Sequence, residues 1–328
     1  MLTPQLYQEV TPAEIAKVIS AVYGRDTKIT ACTLLKGGVF NTTYRVQTNR
    51  SRDGIVLRAA PTNRHVLFDF ERSMMSAEPL FYQLLHDHGI PSSTVVAYDN
   101  GRQVIDREYI IFEYIPSLPM NDPQVPEVAK PGLHRQLGDI VARLHAIGHE
   151  RFGWLRPHGE LPMFPTWSAF LQRFATEIAD RLAAHGLFAA GDLRQFLAVF
   201  AQQVIFDQIT QPRLVHADLW EGNVLVQEHN GRWQVAALID IDKAIFGDPA
   251  LEFAFPTLLN DDFLRGYGRG ADNSSDATFR RNAYRLLYSF MYTYIWHAQF
   301  DDEDKAQAAK QDGLAALARC RFLIADVP

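Results

Sequence analysis

Two short runs constrain this chain more than anything else in it: Val215-His216-Ala217-Asp218-Leu219-Trp220-Glu221-Gly222-Asn223, and Ile239-Asp240-Ile241-Asp242 shortly after. Asp218 ends an apolar, strand-like run and so falls in a loop, where its carboxylate can face a cleft. Asn223 follows five residues later. Two β-like runs, 223–227 and 233–239, flank the turn His229-Asn230-Gly231 and read as a hairpin. Asp240 then stands on the hairpin's far strand, with Asp242 on the same strand face. Asp and Asn are turn residues, and a lone Asp-Leu-Trp-Glu-Gly-Asn is ordinarily a loop. Asp240 is harder to explain that way. A carboxylate closing the apolar run 235–239 is costly to bury unless it is paired or bound to a metal.

Asp218, Asn223 and Asp240 fit one chemistry. Moving a phosphoryl group from ATP to a hydroxyl needs a carboxylate that orients and deprotonates the acceptor. It also needs oxygen ligands that hold Mg²⁺ against the phosphates. The Asp218-to-Asn223 spacing is that of the protein-kinase catalytic loop. With Gly247-Asp248-Pro249, the ordered set His-x-Asp-x-x-x-x-Asn, Ile-Asp-x-Asp and Gly-Asp-Pro spans 34 residues. It resembles the aminoglycoside phosphotransferase and choline kinase-like family. The resemblance implies an α+β, bilobal protein-kinase-like fold with a small β-rich N-lobe and a larger, mainly helical C-lobe. It also implies that Asp218 is the catalytic base, that Asn223 and Asp240 are metal ligands, and that ATP and Mg²⁺ are the cofactors. His216, Asp242 and Asp248 become supports of the site, Asp242 also an occasional ligand.

The N-terminal third carries softer matches. Lys36-Gly37-Gly38-Val39-Phe40-Asn41 joins two strand-like runs and resembles the family's nucleotide-covering loop, where glycines let backbone amides approach phosphate. A Gly-Gly between strands is by itself most often a hairpin turn. The phosphate loop Gly-x-x-x-x-Gly-Lys-Ser/Thr is absent, which argues against a P-loop kinase. Ile55-Val56-Leu57-Arg58 matches the strand that carries the phosphate-binding cation. That residue is ordinarily lysine, so Arg58 is a departure, although a guanidinium can grip phosphate with two N–H groups. Glu78 in the following helix is expected to hold the cation in place, with Glu71 as its rival. Phe112-Glu113-Tyr114-Ile115 resembles the hinge, whose backbone near Glu113 and Ile115 meets the adenine edge. His145, late in a helix, reads as a packed structural histidine.

Strand patterns at 29–36, 39–48, 55–60, 94–98 and 109–115, with one helix at 72–88, make the first third β-rich. Prolines crowd 116–131 and mark a connector. Helical patterns follow at 133–147, 167–185, 192–209, 277–297 and 304–323, with the β-hairpin embedded among them. The expected division is a nucleotide-binding lobe, 1–115, and a helical catalytic and substrate-binding lobe, 116–328. A net charge of −6 argues against nucleic acid as a partner. The most membrane-like segment, 286–300, falls short of the roughly 18 apolar residues of a spanning helix and reads as buried. Cys32 and Cys320 are expected to be ordinary thiols of a cytoplasmic protein.

Between Asp240 and Gly-Asp-Pro there is no room for a protein-kinase activation segment, so the expected partner is a small-molecule hydroxyl acceptor. Segments 253–267 and 284–299 are the expected acceptor pocket. Asp261, Asp262 and the run 301–304, beside Tyr288, Tyr292, Tyr294 and Trp296, would suit a cationic amino sugar or amine. The acidic run 301–304 also reads as a solvated helix start. Asp218-Leu219-Trp220-x-Gly-Asn resembles the fructosamine kinase branch as well. Two rivals remain: a catalytically idle nucleotide binder, and a metal-dependent phosphohydrolase with His216, Asp218, Asp240 and Asp242 as ligands.

Overall fold

The segment Thr42–Thr48 buries every second side chain, as a strand with one face on a core must. It is β2 of an antiparallel sheet that also holds β1 (Ile29–Leu34), β3 (Ser51–Ala59), β4 (Val95–Asp99) and β5 (Tyr109–Glu113), in the order β1-β2-β3-β5-β4. The computed structural model describes residues 6–35, 40–254, 258–268, 270 and 272–325. A helix not foreseen from the sequence, α1 (Pro12–Tyr23), precedes the sheet. Its signal was present: Thr11 and Glu14 form a capping box around Pro12. Ile15, Val18 and Ile19 recur at helical spacing and pack on Val46, Leu57 and Ile111. Each such buried side chain contributes about 1.5–3 kcal/mol. Helix α2 (Met74–Asp87) follows β3 and carries Glu78, fully buried.

The later strands are β6 (Leu118–Pro119), β7 (Arg213–Val215), β8 (Val224–His229), β9 (Arg232–Leu238) and β10 (Ile245–Gly247). The later helices are α3 (Lys130–Leu144), α4 (Trp167–Ala184), α5 (Ala190–Phe200), α6 (Gln203–Phe206), α7 (Asp261–Tyr267), α8 (Ser275–Tyr294) and α9 (Glu303–Ala325). The elements thus alternate between a β-rich first part and a helical remainder, an α+β chain. Helix α7 escaped the sequence reading because it has only seven residues, although Asn260 caps it by accepting from Phe263 N.

The chain divides into two compact units, 1–129 with 156–158 and 221–242, and 130–155 with 159–220 and 243–328. The β8–β9 hairpin, placed by the sequence within the helical lobe, belongs by its contacts to the first unit. Strand β6 pairs with β8, and Leu238 N donates to Pro91 O at 2.9 Å. The second unit is built on aromatic packing: Trp167 stacks on Phe170, and Phe196 on Phe290 at 4.4 Å. Segment 286–300 is part of this core, with Leu286, Phe290 and Tyr294 buried. Among the described residues no helix is long and apolar enough to cross a membrane.

Two glycines let α3 and α7 touch. A Cβ on Gly138 would strike Phe263 O and Tyr267 N, and one on Gly266 would strike Arg135 O. This close approach sets Tyr267 beside His145, at the back of the site.

Candidate functional site

Strand β7 pairs with β10, with Val215 opposite Ile245, and runs straight into His216, Ala217 and Asp218. Ala217 has φ 66°, a left-handed conformation that costs an ordinary residue about 1–3 kcal/mol. The loop is held there by a buried carboxylate. Glu252 Oε2 accepts from His216 N at 2.8 Å, and Oε1 accepts from Ala217 N at 3.2 Å. On the other side Tyr288 OH donates to Ala217 O at 3.5 Å. Behind Glu252, the buried His145 places Nε2 3.6 Å from Oε2 and shares a 2.8 Å bond between Nδ1 and Tyr267 OH. His145 is therefore the packed, bonded residue the sequence suggested. So fixed, the loop presents Asp218 with its side chain 26% exposed and Oδ2 accepting from Lys243 Nζ at 2.9 Å.

His216 is fully buried, and Asp248 supports the same unit from a different side. Asp248 Oδ1 caps the turn Pro249–Phe253 through Ala250 N. Its Oδ2 accepts from Arg280 Nε at 3.1 Å and Tyr284 OH at 2.7 Å, and Trp167 Nε1 donates to that same Tyr284 oxygen. Gly247 precedes it because a Cβ there would press on the Trp167 ring.

In the first unit the hairpin brings Asn223 and Asp240 to one end. Asn223 closes the 3₁₀ turn Glu221–Asn223 just before β8, and Ile239 N donates to Asn223 O at 3.0 Å. Asp240 and Asp242 do not share a strand face as the sequence reading had it. Strand β9 stops at Leu238, Asp240 has φ 59°, and Ile241–Lys243 form a 3₁₀ turn. Both nevertheless reach one partner, Arg58 on β3. Arg58 Nη1 lies 2.9 Å from Glu78 Oε2 and 2.8 Å from Asp240 Oδ1, and Nη2 lies 3.3 Å from Asp242 Oδ2. Burial works against the Arg58 charge, but Asp240, Glu78 and Asp242 outweigh it and hold the guanidinium protonated. Burial also pushes the Glu78 carboxyl up, against the pull of Arg58. Glu71, the rival to Glu78, accepts instead from its own turn at Phe68 N.

Gly37 and Gly38 lie outside the described residues. Asn41 is buried and lines a small cavity with Arg64, Glu71 and Glu108. Glu113 ends β5, its carbonyl accepting from Ser93 Oγ, and the Ile115 carbonyl accepts from Ser117 Oγ, both at 2.9 Å. Of the acidic residues thought to line an acceptor pocket, Asp302 caps α9 through Lys305 N, and Asp262 pairs with Arg265. The solvated helix-start reading of 301–304 holds for Asp302.

Lys243 and Glu252 are the residues here that sequence reasoning did not place, whereas Tyr288, expected among the aromatics of the acceptor pocket, bonds to the loop at Ala217 O. Lys243 directly follows Ile-Asp-x-Asp, and Glu252 is a lone carboxylate between Leu251 and Phe253, an apolar context that could have flagged it. Among the described residues no three of His, Cys, Asp and Glu converge as a self-sufficient metal cage.

A family model described as the phosphotransferase enzyme family matches residues 31–282. A "probable ketoamine kinase" of Staphylococcus aureus is 25% identical over 282 residues, covering 82% of this chain and 88% of that protein. The crystal structure of a thermostable mutant of aminoglycoside phosphotransferase APH(4)-Ia superposes with a TM-score of 0.65 at 18% identity, covering 94% of this chain and 98% of that one. A ternary complex of that phosphotransferase with AMP-PNP and hygromycin B gives 0.62 at 18%, covering 95% and 98%.

Proposed function

The chain belongs to the phosphotransferase enzyme family, and from that membership we propose that Asp218 is the general base, and Asn223 and Asp240 the metal ligands, of its reaction. The enzyme is an ATP-dependent kinase of small-molecule hydroxyls, with the kinase-like fold. The observation that carries the residue assignment is Asp218, a partly exposed carboxylate on a loop whose backbone Glu252 clamps and whose side chain Lys243 orients.

Each group has a task. Asp218 accepts the acceptor's hydroxyl proton as that oxygen bonds to the γ-phosphorus and the bond to the ADP bridging oxygen breaks. The proton then passes to solvent. Holding the hydroxyl and the base in register supplies much of the rate. Asn223 and Asp240 are hard oxygen donors at one hairpin end, and Asp240 is 39% exposed. Such a pair suits Mg²⁺, which takes one or two protein ligands and completes its shell with phosphate and water. When bound, Mg²⁺ offsets phosphate charge. Arg58, held by Glu78, would face the phosphates. Gly37, Gly38 and Asn41 would cover them, and the backbone at Glu113 and Ile115 would meet adenine.

For the acceptor we infer a ketoamine, a sugar joined to an amine. Likeness to the ketoamine kinase over 88% of its length supports this. So does Trp220, 48% exposed two residues beyond the base, where an aromatic face can stack on a sugar ring. Incubation with MgATP and a panel of ketoamines, amino sugars and aminoglycosides, followed by mass spectrometry, tests it. A gain of one phosphoryl group on ketoamines is expected. A product from aminoglycosides alone would overturn the acceptor assignment and leave the kinase in place.

The metal assignment has its own test. Asp240→Ala should remove the Mg²⁺-dependent part of nucleotide binding in calorimetry and leave the weaker metal-free binding. An unchanged Mg²⁺ response would move the metal elsewhere.

A further inference from the structure

The arginine at position 58 does something a lysine there cannot. Its two terminal nitrogens engage three carboxylates at once, Nη1 on Glu78 and Asp240, and Nη2 on Asp242. A lysine ammonium is a single point charge and could not span both nitrogen positions. Three carboxylates around one guanidinium leave an excess of acceptors. The second oxygen of Glu78, Oε1, is buried with no hydrogen-bond partner among the described residues. Asp240 is the member of the set that reaches solvent, at 39% exposure, whereas Asp242 and Glu78 are 7% and 0% exposed.

This arrangement bears on when a metal can use Asp240. A divalent cation approaching Asp240 in the nucleotide-free protein meets a carboxylate oxygen already 2.8 Å from a guanidinium nitrogen. The positive charge of that guanidinium also opposes the incoming cation. Nucleotide phosphates change the balance, because they offer the guanidinium bidentate oxygen acceptors of their own. Glu78 and Asp242 still hold the buried guanidinium when Asp240 is released, so the movement leaves no unpaired buried charge.

We propose that Arg58 is a positioning residue that occupies Asp240 in the nucleotide-free protein, so that a divalent metal binds Asp240 only with or after the nucleotide's phosphates. The proposal rests on Asp240 being a metal ligand, and its test separates the two ideas. The full chain and Arg58→Lys are titrated with Mn²⁺, free Mn²⁺ being read by electron paramagnetic resonance, with and without AMP-PNP. The unmutated protein should bind Mn²⁺ about 10-fold or more weakly without AMP-PNP than with it, a coupling of ordinary size. Arg58→Lys should bind Mn²⁺ alone about 10-fold more tightly than the unmutated protein. Asp242→Asn, which weakens the Nη2 contact but leaves Nη1 on Asp240, should show a smaller gain in the same direction. It stands in if Arg58→Lys melts early.

Equal Mn²⁺ affinity with and without AMP-PNP in the unmutated protein overturns the inference. So does the absence of any gain in both variants. If Asp240→Ala keeps full Mn²⁺ binding in the presence of AMP-PNP, the metal assignment falls, and this inference with it.

Discussion

Asp218→Asn should lower kcat by about 10²–10⁴-fold, the range that a positioned general base contributes, while MgATP binds nearly as before. Asparagine has almost the same volume, and its carbonyl oxygen can still accept from Lys243 Nζ, now 2.9 Å from Asp218 Oδ2. The loop itself is held through the backbone, by Glu252 on His216 N and Ala217 N and by Tyr288 on Ala217 O. None of those bonds involves the Asp218 side chain, so the variant keeps the loop's shape while losing the carboxylate that takes the proton and its charge beside Lys243. The loss should therefore appear in kcat far more than in the acceptor KM. Calorimetry of MgATP binding and a steady-state assay, run on the same preparation, check both halves. Turnover within tenfold of the unmutated protein would take the base role away from Asp218.

The parts of this molecule that were legible in the sequence are those set by neighbours along the chain. The strands of the first sheet announce themselves by alternation, as at Thr42–Thr48, or by clustered β-formers, as at Tyr109–Glu113, and the long helices by apolar spacing. The Asp218-to-Asn223 interval is itself a property of the chain, five residues that no fold can lengthen. Asp240 and Asp242 were read as partners for a reason the backbone does not honour. A period-two strand would put them on one face, yet the strand ends at Leu238 and a left-handed residue opens a 3₁₀ turn. They converge because both answer Arg58, 184 residues from Asp242 along the chain. No local pattern records such a contact. Arg58 itself looked like a mere departure from lysine, and only the three carboxylates around it show why two terminal nitrogens are used. Glu252 was invisible for a related reason. Its partners are backbone amides 36 and 35 residues away, and a backbone amide has no letter in the sequence.

Glu252 also gives the second large effect. Glu252→Gln keeps the side chain's length but replaces one carboxylate oxygen with an NH₂ donor, which then faces the N–H of His216 or Ala217. One amide loses its acceptor and the other exchanges a charged partner for a neutral one. Charged hydrogen bonds of this kind are worth about 1.5–3 kcal/mol each, so a loss of roughly 3 kcal/mol is expected. Thermal melting should fall by about 5–10 °C for a unit of this size. Activity should fall as well, because the strain at Ala217, φ 66°, persists only while the clamp holds. A slackened loop misplaces Asp218, and kcat should drop by about 10–10²-fold. The KM for ATP should change little, since the Arg58 cluster belongs to the other compact unit. The effect also has a pH signature. Burial pushes the Glu252 carboxyl up, but the His145 and His216 rings and the His216 amide outweigh it and hold it below its usual value. Its stabilising effect is therefore present above the ordinary carboxyl range and is lost as pH falls through its lowered value. The gap in melting temperature between the unmutated protein and Glu252→Gln should be full at neutral pH and should close in acid. A gap that stayed constant with pH would mean that the charge of Glu252 is not what holds the loop.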